Sequence, residues 1–144
     1  MYEDILVPTD GSEGAANAID EAIDMALAFD AALHTVYVTD TSGLSRTRGA
    51  PGALEELKSH GRDAVQSVID QAEAAGVETI EATVATGAPH EAILKYVEDH
   101  GIDLVIMGTH GRTGLRRYLL GSVTERVVRA SPVPVLTVGM ADRV

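Results

Sequence analysis

Short apolar runs alternate with longer amphipathic segments along the 144-residue chain, and this alternation restricts the fold more than any other feature. Five runs predict strands: Ile5–Val7, Leu33–Val38, Val77–Thr86, Leu104–Met107 and Val133–Val138. Four segments with apolar residues at helical spacing predict helices: 12–29, 51–75, 89–100 and 122–129. Strands joined through helices run parallel, and their sheet is covered on both faces. We therefore predict one domain, 1–144, with a five-stranded doubly wound α/β fold.

Proline and glycine mark the ends of the predicted helices. Pro51 and Pro89 suit the first turn of a helix, and Gly76 and Gly101 suit the position just after one. Gly61 lies inside the helix predicted over 51–75, where glycine is a mild local penalty.

A ligand of a doubly wound sheet binds beyond the carboxyl ends of the strands, where the strand order reverses. This rule selects three segments: Pro8-Thr9-Asp10, Val38-Thr39-Asp40, and the residues from Gly108 onward. Asp10 could hydrogen-bond a base or a ribose, or contact a metal ion carried by phosphates. Asp10-Gly11-Ser12 is also turn sequence, and an Asx-turn would explain the aspartate equally well. Asp40 has the weaker case, and we expect it to be a loop residue.

The segment from Gly108 to Thr124 joins the fourth strand to the last helix and contains most of the candidate residues. Gly108 and Gly111 would let the backbone approach a ligand closely. Gly121-Ser122 opens the helix, where free N–H groups and the positive end of the helix dipole favour an anion. Ser122 and Thr124 add hydroxyl donors, so the segment could hold phosphates without a lysine.

A structural interpretation of the same segment stays open. The glycines could simply shape a turn, and Ser122-Val-Thr-Glu125 is a good capping box that would explain the serine without a ligand. His110 is the one histidine of five in this segment, and we expect it to be a loop contact rather than a catalyst.

The net charge of −11, from 22 acidic and 11 basic residues, repels nucleic acid and anionic membranes, so we expect neither as a partner. With only two lysines and much alanine, the composition resembles that of halophilic proteins in a salt-filled cytoplasm; an acidic mesophilic protein is the alternative. Five arginines but one acid lie between 108 and 130. This placement fits a bound polyanion or an acidic surface on a partner subunit.

Several classes of site are absent from the sequence. The chain has no cysteine, which excludes disulfides and thiolate metal sites. It has neither a signal-peptide pattern nor an apolar run near ~18 residues, so we expect a cytoplasmic protein that does not enter a membrane. The motifs G-x-x-x-x-G-K-[ST], G-x-G-x-x-G, G-x-S-x-G and H-E-x-x-H are also absent.

Together these residues resemble the universal stress protein family, specifically its ATP-binding branch. That branch is marked by G-x2-G-x9-G-[ST], and Gly108, Gly111, Gly121 and Ser122 fit this spacing without a gap. I-L-V-P-T-D, Y-V-T-D, G-A-P-H-E-A-I and D-L-V-I-M-G-T-H-G-R follow in the family's order and span the chain.

The resemblance implies an adenine nucleotide alpha hydrolase-like (Rossmann-like) sheet of order 3-2-1-4-5, with ATP between strands 1 and 4 and Mg²⁺ or Mn²⁺ held by its phosphates. It also implies a homodimer formed through Val133 to Val138, where Pro132 and Pro134 could limit the pairing. Carried over by position, the implied binding residues are Pro8, Thr9, Asp10, Val38, Met107, Gly108, Thr109, His110, Gly111, Arg112, Thr113, Gly114, Gly121, Ser122, Val123 and Thr124.

Three functions are compatible with this sequence. The first is an ATP-dependent stress-response sensor or regulator that acts by binding a protein partner. The second is an adenine-nucleotide enzyme with slow ATP hydrolysis or adenylyl or phosphoryl transfer, using Asp10 or His110. The third is a nucleotide-free dimerisation module.

Overall fold

A computed structural model describes residues 1–40, 52–109 and 120–139 of the chain. The strands are β1 (Asp4–Pro8), β2 (Ala32–Thr39), β3 (Ile80–Thr86), β4 (Leu104–Gly108) and β5 (Val135–Val138). The helices are α1 (Glu13–Phe29), α2 (Ala53–Ala75), α3 (Pro89–Asp99) and α4 (Ser122–Ala130). These strands pair in parallel in the order β3-β2-β1-β4-β5, which confirms the predicted fold and strand order.

Alternate residues of the central strands enter two separate apolar cores. On β1, Ile5 and Val7 pack with residues of α1 and α2, whereas Leu6 packs with residues of α3 and α4. All three side chains are fully buried. Burial on both faces explains why a central parallel strand is a continuous apolar run in the sequence. Within the described ranges, none of the helices is both long enough and apolar enough to cross a bilayer.

Strand β3 begins three residues later than predicted, because the end of α2 uses the residues before it. Gly76 ends α2 with φ +101°, as predicted, and its N–H donates to the Ala72 and Glu73 carbonyls. The Val77 N–H donates to the Ala72 carbonyl at 3.0 Å, so Val77 completes the helix cap and does not enter the sheet. At its other end α2 begins at Ala53. Pro51, expected in its first turn, lies outside the described residues.

Strand β5 also begins later than predicted, at Val135 rather than Val133. The Ser131 hydroxyl donates to the Val133 carbonyl at 2.8 Å and accepts from the Val133 N–H at 3.1 Å. Pro134 has no N–H to contribute to a ladder. Hydrogen bonds of a local turn therefore involve Ser131 and Val133, and Pro132 and Pro134 both precede the strand.

A buried histidine joins β1, β2 and α3 at the amino-terminal end of the sheet. His34 is 2% exposed, and its Nε2 lies 3.0 Å from Asp4 Oδ1. Because a carboxylate accepts, Nε2 carries a hydrogen, and in the neutral ring Nδ1 accepts from the Tyr96 hydroxyl at 2.7 Å. Glu81 Oε2 lies 3.4 Å from the same Nδ1. The Tyr96 ring stacks on His100 with centroids 3.7 Å apart. The hydrogen bonds to Asp4 and Tyr96 satisfy both ring nitrogens of His34 in an otherwise apolar layer.

Burial raises the pKa of Tyr96 above its ordinary value of about 10, against a smaller opposing effect of a hydrogen bond with Thr83. The unfolded chain therefore loses this proton at a lower pH than the folded chain. The stabilisation is fully present below the unfolded pKa and is lost as pH rises through the folded pKa. We expect the free energy of unfolding in urea to fall more steeply above pH ~10 in the wild type than in Tyr96→Phe. Parallel slopes would contradict this expectation.

Candidate functional site

A cavity of about 340 Å³ opens at the carboxyl ends of β1, β2 and β4, where the strand order reverses. This volume lies in the ordinary range of small-molecule pockets. The described residues that line it are Pro8, Thr9, Asp10, Ala15, Val36, Tyr37, Val38, Asp40, Leu57, Pro89, Ile93, Met107, Gly108, Gly121, Ser122, Val123 and Thr124. The cavity therefore lies at the position that the strand-order rule selected.

Strands β1 and β4 separate toward this cavity. They pair only at Ile5↔Leu104 and Leu6↔Val105, near their amino-terminal ends. By contrast, β1 pairs with β2 as far as Pro8↔Val36. The space that the separation leaves is lined by Pro8 on one side and by Met107 and Gly108 on the other.

One wall of the cavity is apolar. Val36, Ile93 and Met107 are buried members of the core between the sheet and α3 and α4, and Val38 packs against that core. The cavity is thus an open extension of the apolar layer. An aromatic ring bound there would be removed from water, and no polar group of the protein would have to move to admit it.

The amino-terminal end of α4 also lines the cavity, and two hydrogen bonds connect it to the end of β4. The Gly121 N–H donates to the Thr109 carbonyl at 2.6 Å, and the Thr124 hydroxyl donates to the Gly108 carbonyl at 2.9 Å. The first turn of α4, from Ser122 to Thr124, is consequently fixed beside the cavity.

The capping-box interpretation of this turn is wrong. Gly121 is the N-cap, with φ −60° and ψ 153°, so Ser122 is already the first helical residue. No side chain caps α4, and Glu125 forms an ion pair of 2.9 Å with Arg129 instead. The N–H groups of the first turn therefore have no side-chain cap and carry the positive end of the helix dipole. The Thr124 hydroxyl bonds Gly108, which leaves that of Ser122, an exposed residue, as the hydroxyl donor facing a ligand.

The turn after β1 is an Asx-turn, and it also lines the cavity. Asp10 Oδ1 accepts from the Ser12 N–H at 2.9 Å and from the Ser12 hydroxyl. The Gly11 N–H, at a residue with φ +78°, donates to Thr9 Oγ1 at 3.1 Å. The structural interpretation of Asp10 is thus confirmed, and its position at the cavity leaves a ligand contact open.

Asp40 lines the cavity as well, although we expected only a loop residue. The strand-order rule contained the necessary signal, because Asp40 directly follows β2 at the carboxyl edge of the sheet. Asp10 and Asp40 make the β1–β2 side acidic, while the α4 end presents helix N–H groups. An anionic group would therefore be favoured at the α4 end.

Ten of the predicted binding residues line this one cavity: Pro8, Thr9, Asp10, Val38, Met107, Gly108, Gly121, Ser122, Val123 and Thr124. Thr109 is not among the lining residues and instead holds Gly121 through its carbonyl. His110, Gly111, Arg112, Thr113 and Gly114 lie outside the described residues. The structure adds residues that the sequence gave no reason to choose: Ala15, Val36, Tyr37, Leu57, Pro89 and Ile93. They come from helices and strand interiors that only the packing brings to the cavity.

The chain matches the model of the universal stress protein family over residues 1–139. Universal stress protein MJ0531 of Methanocaldococcus jannaschii is 40% identical over 141 residues, which cover 96% of this chain and 82% of that protein.

Solved structures show the same architecture. Universal stress protein UspA from Lactobacillus plantarum has a TM-score of 0.85 at 29% identity, covering 95% of this chain and 97% of that chain. A universal stress protein solved in complex with cAMP has a TM-score of 0.72 at 28% identity, covering 97% and 98%. A protein similar to this one therefore holds an adenine nucleotide.

The bond between Thr124 and Gly108 can be tested by removing its hydroxyl. Thr124→Val keeps the shape of the side chain but removes the hydroxyl that donates to the Gly108 carbonyl. We expect it to lower the free energy of unfolding by about 1 kcal/mol, measured by urea denaturation. The same change at the exposed Thr79 (Thr79→Val) should stay within about 0.5 kcal/mol. Equal effects at the two positions would show that the bond does not hold α4.

Proposed function

The chain belongs to the universal stress protein family, and we propose that it binds ATP in the cavity between the carboxyl ends of β1 and β4. The observation that carries this proposal is the uncapped first turn of α4, fixed beside a cavity of about 340 Å³ that has an apolar wall. An anion is stabilised at such a turn, and a planar ring is stabilised by the apolar wall. A nucleotide contains both groups in one molecule.

The adenosine would lie against the ends of β1 and β2. Pro8, Thr9 and Asp10 would line it, and Val38 would contact the base through its backbone. A strand-end backbone offers a carbonyl and an N–H, which match the amino group and the adjacent ring nitrogen of adenine. Val36 and Met107, both buried, would cover the ring.

The phosphates would lie at α4. The N–H groups from Ser122 to Thr124 and the Ser122 hydroxyl are the donors there, with Gly108 and Thr109 beside them. The proposed site extends through residues 110–114, which lie outside the described part of the chain.

A divalent ion, Mg²⁺ or Mn²⁺, would be held chiefly by the phosphates. Mg²⁺ in nucleotide sites typically keeps several waters and binds one or two carboxylates in addition to phosphate oxygens. Asp10 and Asp40 are the carboxylates of the described lining, and no cluster of three or more metal-binding side chains occurs among the described residues. This donor set fits an ion that arrives with the nucleotide.

In the cell the protein would act as a cytoplasmic stress-response regulator whose nucleotide state alters the binding of a protein partner. We propose a homodimer formed through β5. Among the described residues, β5 pairs with β4 alone and lies at one edge of the sheet. Leu136 on this strand is 37% exposed, and an apolar edge strand is favoured to pair with a second copy. The net charge of −11 would suit a salt-filled cytoplasm.

We propose a binding module rather than an efficient ATPase. Hydrolysis would need a general base near the phosphates, and Asp10 is the described candidate. Its Oδ1 already accepts two hydrogen bonds from Ser12 in the turn, which assigns it a structural task. Phosphate release, followed in the same samples, would distinguish an enzyme from a binding module.

Calorimetric titration with Mg-ATP in concentrated KCl tests the proposal. We expect saturable binding of one nucleotide per chain by the wild type and loss of binding by Gly121→Val, whose side chain would occupy the phosphate position. The backbone of Gly121, at φ −60°, accepts valine without strain. Gly139→Val is the matched control, because a Cβ at Gly139 meets nothing within 4 Å. The proposal fails if the wild type releases no heat of binding, or if both variants bind as the wild type does.

The charge of Asp40 supplies a second test. Asp40→Asn removes one negative charge from the lining, so we expect the affinity for metal-free ATP, measured with EDTA present, to rise roughly three- to tenfold at low salt. The gain should shrink in concentrated KCl because of screening. Asp24→Asn makes the same change at an exposed position on α1. Weaker binding by Asp40→Asn would show instead that the carboxylate contacts the ligand.

A further inference from the structure

Helix α2 lies unusually close to β2 at one glycine. A Cβ built on Gly61 would come 2.5 Å from Cδ1 of Tyr37, 3.0 Å from its Cε1 and 3.1 Å from its Cγ. Carbon atoms do not approach to such distances, so this helix position accepts only glycine at the present spacing. Gly61 is thus more than a local penalty in a helix: it permits the contact between α2 and the Tyr37 ring.

The preceding residue makes a second close contact at the same end of the sheet. The His60 ring meets that of Tyr37 edge-on, with centroids 5.6 Å apart. A Cβ built on Gly11 would lie 3.0 Å from His60 Nε2, so the turn after β1 also gives α2 room through a missing side chain. His60 and Gly61 of α2 therefore contact two segments that line the cavity, the end of β2 and the turn after β1.

Leu57 connects these contacts of α2 to the cavity. It lies four residues before Gly61, about one helical turn, and therefore on the same side of α2. Leu57 and Tyr37 both line the cavity. The distance between α2 and β2 consequently decides how far Leu57 projects into the cavity.

We propose that Gly61 is a positioning residue that holds Leu57 over the cavity and thereby limits the size of the base that the cavity accepts. This inference rests on the proposed nucleotide site. Tyr37 is 2% exposed on a strand paired on both sides with β1 and β3. The outer side of α2 is exposed at Ser59, Arg62 and Asp63. A methyl group at Gly61 therefore moves α2 outward, not the strand inward, and Leu57 moves away from the cavity.

The test compares ATP with N6-benzyl-ATP, whose base is larger. We expect the wild type to prefer ATP and Leu57→Ala to reduce that preference by roughly tenfold, the scale on which apolar pockets discriminate. Gly61→Ala should change the preference in the same direction, although it adds atoms to the protein. The double variant Leu57→Ala/Gly61→Ala should change it by less than the product of the single effects, because both act through one side chain.

A matched control separates positioning from general damage. Ser59→Ala makes a helix-favouring change on the exposed side of α2 and should leave the preference unchanged. If Gly61→Ala does not fold, Leu57→Ala carries the test. Equal weakening for both nucleotides in Gly61→Ala, or an unchanged preference in Leu57→Ala, overturns the proposal.

A measurement without nucleotide keeps this inference separate from the proposed function. Methyl NMR should show the Leu57 resonances moving in Gly61→Ala while those of Leu94, on α3, stay in place. If the wild type binds no ATP but Leu57 moves, the nucleotide proposal fails and the positioning role stands. If Leu57 does not move, the positioning role fails whatever the protein binds.

Discussion

The pairing of β1 with a neighbour on each side is the constraint on which the rest of the structure depends. β1 pairs with β2 along its whole length but with β4 only at Ile5↔Leu104 and Leu6↔Val105. The chain leaves β1 toward β2 and leaves β4 toward β5, so the strand order reverses between β1 and β4. Near the amino-terminal ends, the fully buried Leu6 pairs with Val105 and keeps β1 and β4 together. At the carboxyl ends the two strands do not pair, and the cavity opens there.

The electrostatics of the cavity differ from those of the whole protein. A chain with a net charge of −11 repels anions at a distance. At the cavity, the first turn of α4 presents N–H groups that no side chain caps, and bonds to Gly108 and Thr109 fix their direction. Short-range hydrogen bonding and the helix dipole act over a few ångströms, where they outweigh a field that salt screens. Net charge is thus a poor guide to the ligand of a single small site.

Missing side chains shape this end of the molecule as much as those present. Gly11 leaves room for His60, and Gly61 leaves room for Tyr37. Glycine weakens a helix interior, so its use at Gly61 favours close packing over local stability. The sequence shows these glycines but does not show what each of them faces, because the partner of each comes from a distant segment.

The sequence by itself determined the fold class and, through a family resemblance, the strand order and ten of the lining residues. It could do so because strand burial, helix periodicity and the β4–α4 motif are local patterns in the chain. It left open a capping box at Ser122 and Glu125, which the structure excludes, since the choice between Gly121 and Ser122 as N-cap depends on a bond from Gly121 to Thr109. It also offered no reason to choose Leu57, Tyr37 or Ile93. Only the tertiary structure decided these residues, because the cavity forms where strands β1 and β4 separate and where α2 and α3 happen to pack beside them.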